Sequence, residues 1–456
     1  MRLTRRTLLA GLGATTLLPR MAQAGTGGVT LTAREGRVQV APSAYPETTV
    51  WGFDGQVPGP LLRATQNDRL RCRLVNDLSQ PTAIHWHGLR VENAMDGVPG
   101  MTQDPVPTGG HFDYDCRLPD AGTFWYHSHN QSAEQVARGL FGPLVIDEPD
   151  APDVDHDLMV VVNDWRMTED AQIHESFGQM HDLSHGGRIG NYVHIDVTPR
   201  PETLNRNQRL RLRFLNPSTD RILQLGVIGL TGWVMALDGM PLETPAPLAD
   251  FILAPAQRLD AFVDVTAGDG ETAMIVQHER DGTFVLDEFP VTGAGTSRPR
   301  PAPPALPPNP VIRAVAGPDT RHLRMEMEGG AMGGLREGTY KGRKMSMRDL
   351  VSNGQVWTLG GVAGLPDDPW AQLERGETLR VTLVNNTAFP HAMHLHGHHF
   401  HELRPDGPGP LRDTLLVMPS EERDIAFVAD NPGNWLFHCH MLSHQTAGMK
   451  TWIKVA

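Results

Sequence analysis

Ten histidines, one cysteine and one methionine stand apart in this chain because of their spacing. They fall in four short clusters: His85-Trp86-His87-Gly88, His127-Ser128-His129, His391-Ala392-Met393-His394-Leu395-His396-Gly397 and His438-Cys439-His440, the last followed by His444 and Met449. Imidazole and thiolate are ligands of borderline-soft transition metals, and two His, one Cys and a distant Met are the donor set of a blue-copper centre. One HxH pair on a strand is commonly polar surface. Four pairs, two toward each end of the chain, point to metal chemistry. On an extended segment side chains alternate, so Cys439 faces one side and His438 and His440 the other. Cys439 can therefore hold one metal while its neighbours hold a different one. His444 and Met449 follow at intervals of five, enough for a loop to fold back onto the Cys side.

The four clusters, in this order and at these separations, resemble the copper-binding motifs of the three-domain multicopper oxidases, the family of laccases, bilirubin oxidases and cuprous oxidases. Gly55-Gln56-Val57-Pro58-Gly59-Pro60 and Gly122-Thr123-Phe124-Trp125-Tyr126 extend the resemblance. It implies an all-β chain of three cupredoxin-like Greek-key β-sandwich domains. It also implies four copper ions and an enzyme passing electrons from a reducing substrate to O2. By the same resemblance His391, Cys439 and His444 hold a type 1 copper with Met449 as weak axial ligand, and a Met there suggests a mid-range potential. His85 and His394 would hold the type 2 copper; His87, His127 and His440 one type 3 copper, and His129, His396 and His438 the other. Electrons would pass through Cys439 to its flanking histidines. Asp96, nine residues past His87, stands where the family carries an acid and is expected to relay protons; the plainer reading is a turn Asp before Gly97. A second family acid follows the type 1 His, and here that position is Gln445, which leaves the proton route open.

The elements that must position these groups are legible too. The chain has 456 residues with 39% hydrophobic and 20% charged, 47 glycines and 37 prolines, a composition of many turns and short strands. Its net charge of −13 argues against a nucleic-acid surface. An alternating phrase recurs: residues 67–76, 207–216 and 376–385 each run from a turn through a strand to a closing Asn. Three copies about a domain apart imply three similar β-domains. Domain limits are expected at 29–149, 153–296 and 313–456, with a semi-rigid proline-rich linker over 297–312. The middle domain lacks HxH pairs, so its expected task is to space the outer two. Residues 1–24 read as a twin-arginine signal peptide around Arg5-Arg6, cleaved after Ala22-Gln23-Ala24, which implies recognition by the twin-arginine export machinery. No other stretch is long and apolar enough for a membrane span, so a soluble periplasmic protein is expected. All ligands lie in one chain, so a monomer is complete. Cys72 and Cys116 both alternate inward; they either pair as a disulfide or fill a core.

The electron donor is less legible. Met325, Met327, Met332, Met345 and Met347 lie in a Gly-rich segment, 325–347, just before the third domain. Thioethers select Cu(I), so Cu(I) or another metal ion is the expected substrate, with phenol oxidation as a broad secondary activity. The opposing reading has these methionines filling one strand face. His174, Met180, His181 and His185 form a looser group, read as a solvated loop or a copper-scavenging one. His398, His399 and His401 are expected as strand polar positions or supports of the ligands. Two rivals differ in class. A copper nitrite reductase lacks four HxH pairs in one three-domain chain. A copper-free cupredoxin-fold structural protein of the cell-division-associated kind would have lost ligands, and here every position is filled.

Overall fold

The computed structural model describes residues 22–23, 28–293 and 299–456. The twin-arginine motif lies outside the described residues. Ala22–Gln23 forms a two-residue strand beside Leu62–Thr65.

The sheets assemble into three sandwiches. Each copy of the sequence repeat is a central strand of one of them. Arg69–Asn76, Arg209–Leu215 and Thr378–Asn385 pair in parallel with Val29–Val38, His156–Trp165 and Arg321–Gly329 respectively. On the other side they pair antiparallel with His111–Arg117, Arg258–Val265 and Glu422–Val428. The topology recurs because the alternation does: Leu70, Cys72 and Leu74 in the first copy, Leu379, Val381 and Leu383 in the third, all point into a core. The closing Asn performs the same task each time. Asn76 Nδ2 donates to the carbonyls of Gln80 and Val106 while its Oδ1 accepts from the Leu78 amide. Asn216 and Asn385 repeat this with Arg221, Leu253 and Ser218, and with Phe389, Val417 and Thr387. The side chain thus satisfies a buried turn, and in the outer sandwiches that turn leads to His85 and His391.

The middle sandwich is bolted to the first through the arginines of its repeat. Arg69 and Arg71 of the first copy meet Asp115 and Arg73 meets Asp113, all at the surface. Their counterparts Arg209, Arg211 and Arg213 are buried. Arg211 bonds Asp260 and Glu148, and Arg213 bonds Asp157, Asp260 and the Thr123 hydroxyl of the first sandwich. The connector after residue 299 also lies against the body: Asn309 exchanges hydrogen bonds with the Ala121 amide and carbonyl, and Leu306 is buried.

Two expectations on core residues resolve. Cys72 and Cys116 are free, buried thiols; register sets Cys72 against Tyr114 and Leu70 against Cys116, and both thiols fill the first core. The expectation for segment 325–347 needs correction. Met325 and Met327 are fully buried on the strand Arg321–Gly329, with Glu326 facing out between them. They fill the third core, so the segment begins inside the third sandwich rather than as a loop before it. The glycines terminate the strand: Gly329 has φ +107°, and a Cβ there would lie 2.1 Å from the Val356 carbonyl oxygen. Met345 sits half-buried in the hairpin of Glu337–Tyr340 and Arg343–Ser346, Met347 packs against the core, and Met332 stands 81% exposed. Replacing Met325 or Met327 by Ala should destabilise the protein by about 2–5 kcal/mol, read as a fall in Tm. An unchanged Tm would contradict this placement.

Candidate metal centres

Strand pairing brings the clusters together two by two. Ile84–His87 runs antiparallel to Gly122–Ser128, with His85 opposite His127 and Trp86 opposite Tyr126. His391–Leu395 runs antiparallel to Gly433–Cys439, with His394 opposite His438 and Met393 opposite Cys439. Alternation then separates two chemistries. Trp86 and Tyr126 point into the first core, Met393 and Cys439 into the third, and the flanking imidazoles point out of both sandwiches toward each other. The seam between the sandwiches is therefore lined with histidine.

Across that seam His85 stacks on His396 with ring centroids 3.9 Å apart, and His87 on His394 at 3.8 Å. Nε2 atoms of His396 and His438 lie 3.1 Å apart, those of His127 and His440 3.4 Å. Donor atoms within each of the trios His85, His87, His394; His87, His127, His440; and His129, His396, His438 lie within 4.8 Å of one another, all buried. All eight seam histidines named from the sequence thus converge. Asp96 is there as well. Its backbone carbonyl accepts from His85 Nδ1 at 2.8 Å, and its Oδ2 accepts from His396 Nδ1 at 2.9 Å. Asp96 is fully buried, which departs from an ordinary turn. Gly97 lets that turn lie on the His85 strand, since a Cβ there would meet the Ile84 carbonyl oxygen at 1.7 Å.

On the far side of Cys439 a second site forms. Cys439 Sγ lies 3.6 Å from His391 Nδ1 and 3.8 Å from His444 Nδ1, and the two Nδ1 atoms are 3.0 Å apart. Both rings are aimed by their Nε2. The Thr387 hydroxyl, which donates to Asn385 Oδ1, accepts from His391 Nε2 at 2.8 Å. The His185 carbonyl accepts from His444 Nε2 at 2.6 Å. Met449 is buried in the same core, and its carbonyl accepts from the Cys439 amide. The helix Leu442–Thr446 carrying His444 is capped from the middle sandwich: Asp220 accepts from the Ser443 amide at 3.1 Å and hydroxyl at 2.8 Å. Burial pushes the Asp220 carboxyl up to about 6.

The donors fit copper. His85, His127, His394 and His438 each donate Nδ1–H to a backbone carbonyl, which leaves Nε2 bare. His85 Nε2, His87 Nδ1, His129 Nε2, His394 Nε2 and His440 Nδ1 are buried without a hydrogen-bond partner among the described residues. An orphaned buried polar atom costs about 1–3 kcal/mol, so five at one seam are unexplained by folding alone. Burial pushes His87, His127, His129, His391, His396, His438 and His440 well below the ordinary imidazole value, and His444 down to about 4. The rings are neutral and ready to bind. Burial pushes the Cys439 thiol up, so its proton must leave when metal enters.

Sequence reasoning missed Asp413. It is fully buried; its carboxylate accepts from His87 Nε2 at 3.2 Å and its carbonyl from His394 Nδ1 at 2.9 Å. Burial opposes ionisation, yet the Arg258 guanidinium, bidentate at 3.0 and 2.6 Å, and then His87 hold the carboxyl well below the usual range. A lone Asp between strands carries no periodic signal. His398 and His399 are buried behind the cluster, His398 within 3.2 Å of the His396 carbonyl and His399 within 3.7 Å of Asp413, consistent with supports of the ligands. Gln445 accepts from the Ser132 hydroxyl.

Comparison with known proteins agrees with this geometry. Profiles described as multicopper oxidase match residues 35–151 and 340–456. The crystal structure of Lac15 from a marine microbial metagenome superposes with a TM-score of 0.78 at 45% identity, covering 94% of this chain and 100% of that one. Multicopper oxidase MmcO of Mycobacterium tuberculosis is 29% identical over 92% of this chain and 86% of its own length. Copper resistance protein A homolog of Pseudomonas syringae pv. tomato is 25% identical over 93% and 92%.

Because the imidazoles are already neutral, loading metal-free protein with Cu(I) at pH 7 should release about one proton per chain, from Cys439. Release of several would contradict neutral rings. Asp413→Asn strips Arg258 of its buried partner and should cost roughly 3–5 kcal/mol, read by thermal unfolding. An unchanged Tm would refute that pairing.

Proposed function

The chain belongs to the multicopper oxidase family, and from that premise we propose that it draws single electrons from Cu(I) or another small metal ion, with oxidation of phenols as a broader secondary activity. It is a copper-dependent oxidoreductase with oxygen as acceptor, of a family that uses one type 1, one type 2 and two type 3 coppers. When bound, four coppers can supply the four electrons that take O2 to water without releasing peroxide.

In this reading His391, Cys439 and His444, with Met449 buried beside them, would hold the type 1 copper, and His85 and His394 the type 2. His87, His127 and His440 would hold one type 3 copper, and His129, His396 and His438 the other. The observation that carries it is the convergence of eight histidines from two sandwiches on one seam, one residue away from a His2Cys site. His438 and Cys439 end the strand Gly433–Cys439 and His440 follows at once, so the residues that would hold the two centres are covalent neighbours. Asp96 Oδ2 beside His396 is placed to hold and pass a proton. Asp413, kept ionised by Arg258, offsets positive charge at the seam.

Support for a metal-ion donor comes from the surroundings of the type 1 site. A cavity of about 430 Å³ is lined by Met332, Asn386, Thr387, Glu421 and Glu422, carboxylates and a thioether rather than an apolar slot for a ring. The His444 ring itself is fully buried. The twin-arginine motif supports export and a periplasmic location, and the completeness of both sites in one chain supports a monomer. The domain limits 29–149, 153–296 and 313–456 remain our division of the chain.

Metal analysis should find about four coppers per chain with an intense blue band, and steady-state kinetics should give kcat/KM for Cu(I) above those for Fe(II) and a phenol. A colourless, copper-free protein would favour the structural alternative; phenol preferred over Cu(I) would overturn the substrate assignment.

A further inference from the structure

We infer that the segment Met180–Arg188 of the middle sandwich is both the cap of the type 1 site and the place where a soft metal-ion donor binds. The inference rests on the metal-ion reading above and gives it a location. The sequence offers His174, Met180, His181 and His185 as a looser group, a solvated loop or a copper-scavenging one; the fold sets the last three of them over His444. The short helix Met180–Ser184 is not a solvated loop. Leu183 is inserted into the third core, and its carbonyl accepts from Trp357 Nε1 at 2.7 Å. The Ser184 carbonyl accepts from the Ala331 amide at 2.7 Å. Behind it Asp182 forms a two-point pair with Arg166, and the Arg188 amide donates to Asp220. Every one of these bonds ties a middle-sandwich element down onto, or braces it behind, the same face.

The cap closes on the type 1 ligand itself. The His185 carbonyl takes the Nε2–H of His444, leaving that ring with no exposed edge. A bulky organic donor therefore cannot touch the ring. What remains outside is the other side of the cap. The His181 side chain is 78% exposed and stacks on His185 at 4.2 Å with 11° between planes. Met180 is 42% exposed, and Met332, one residue beyond Ala331, is 81% exposed. Imidazole with thioether suits Cu(I). From the His185 ring the route inward is its own peptide carbonyl and one hydrogen bond of 2.6 Å to His444. Each Cu(I) taken there gives up one electron and leaves as Cu(II); four such electrons and four protons convert one O2 to two waters.

The test uses the copper-loaded protein and Ag(I), a redox-inert ion with the same preference for soft donors. Wild type should bind Ag(I) beyond its four coppers, and M180L/H181Q/H185Q should weaken that binding by on the order of tenfold or more and raise KM for Cu(I) by a similar factor. Its blue band and copper content should persist, which separates loss of the site from loss of the fold. The single H181Q variant, exposed and unable to disturb the cap, should show a smaller shift in the same direction. If the triple variant binds Ag(I) and turns over Cu(I) like wild type, the site is refuted while the substrate reading stands. If wild type oxidises phenols but not Cu(I), that reading fails, and absence of the extra Ag(I) then removes the site with it.

Discussion

Buried imidazoles that have nothing to bond with are the constraint on which this structure turns. A seam carrying eight histidines, five of whose ring nitrogens lack a partner among the described residues, is a poor interface for folding alone. Desolvation favours the neutral form of His87, His127, His129, His394, His396, His438 and His440, and neutral rings facing one another across 3–4 Å neither repel nor bond strongly. Their arrangement makes sense as a set of lone pairs held in place for metal. Everything around them serves that end: backbone carbonyls of Asp96, Asp413, Ser128 and Cys439 fix ring orientation, and antiparallel register sets His85 against His127 and His394 against His438.

The middle sandwich holds more than a spacer's position. It carries no HxH pair, yet its Arg258 neutralises Asp413 beneath the seam, its Asp220 caps the helix of His444, and its His185 carbonyl orients the His444 ring. Arg211 locks it to the first sandwich through a buried ion pair with Glu148, and Arg213 through a hydrogen bond to the Thr123 hydroxyl; breaking the ion pair is costly because a lone buried charge remains. One domain thereby sets the relation of the other two and reaches both metal centres.

Much of this was legible in residue order. HxH spacing on a strand dictates opposite faces for Cys439 and its neighbours, and the thrice-repeated strand with its closing Asn announced three related sandwiches. The methionines of segment 325–347 are deceptive in sequence because glycines crowd the same stretch. The M-E-M alternation of Met325, Glu326 and Met327 was the stronger signal, since period two is what a half-buried strand imposes, and Gly329 merely ends it. Asp413 and Asp220 were illegible for another reason. Each matters through a contact with residues far away in sequence, and a single carboxylate in a turn carries no periodic mark.

The central claim is that both ends of the chain share one copper cluster wired to Cys439. Anomalous X-ray scattering at the copper edge, from crystals of the metal-loaded protein, addresses it most directly. The account predicts four copper peaks: three among the eight seam histidines and one against the Cys439 sulfur between His391 and His444. Copper bound elsewhere, or a seam that stays empty in a fully loaded protein, would contradict it.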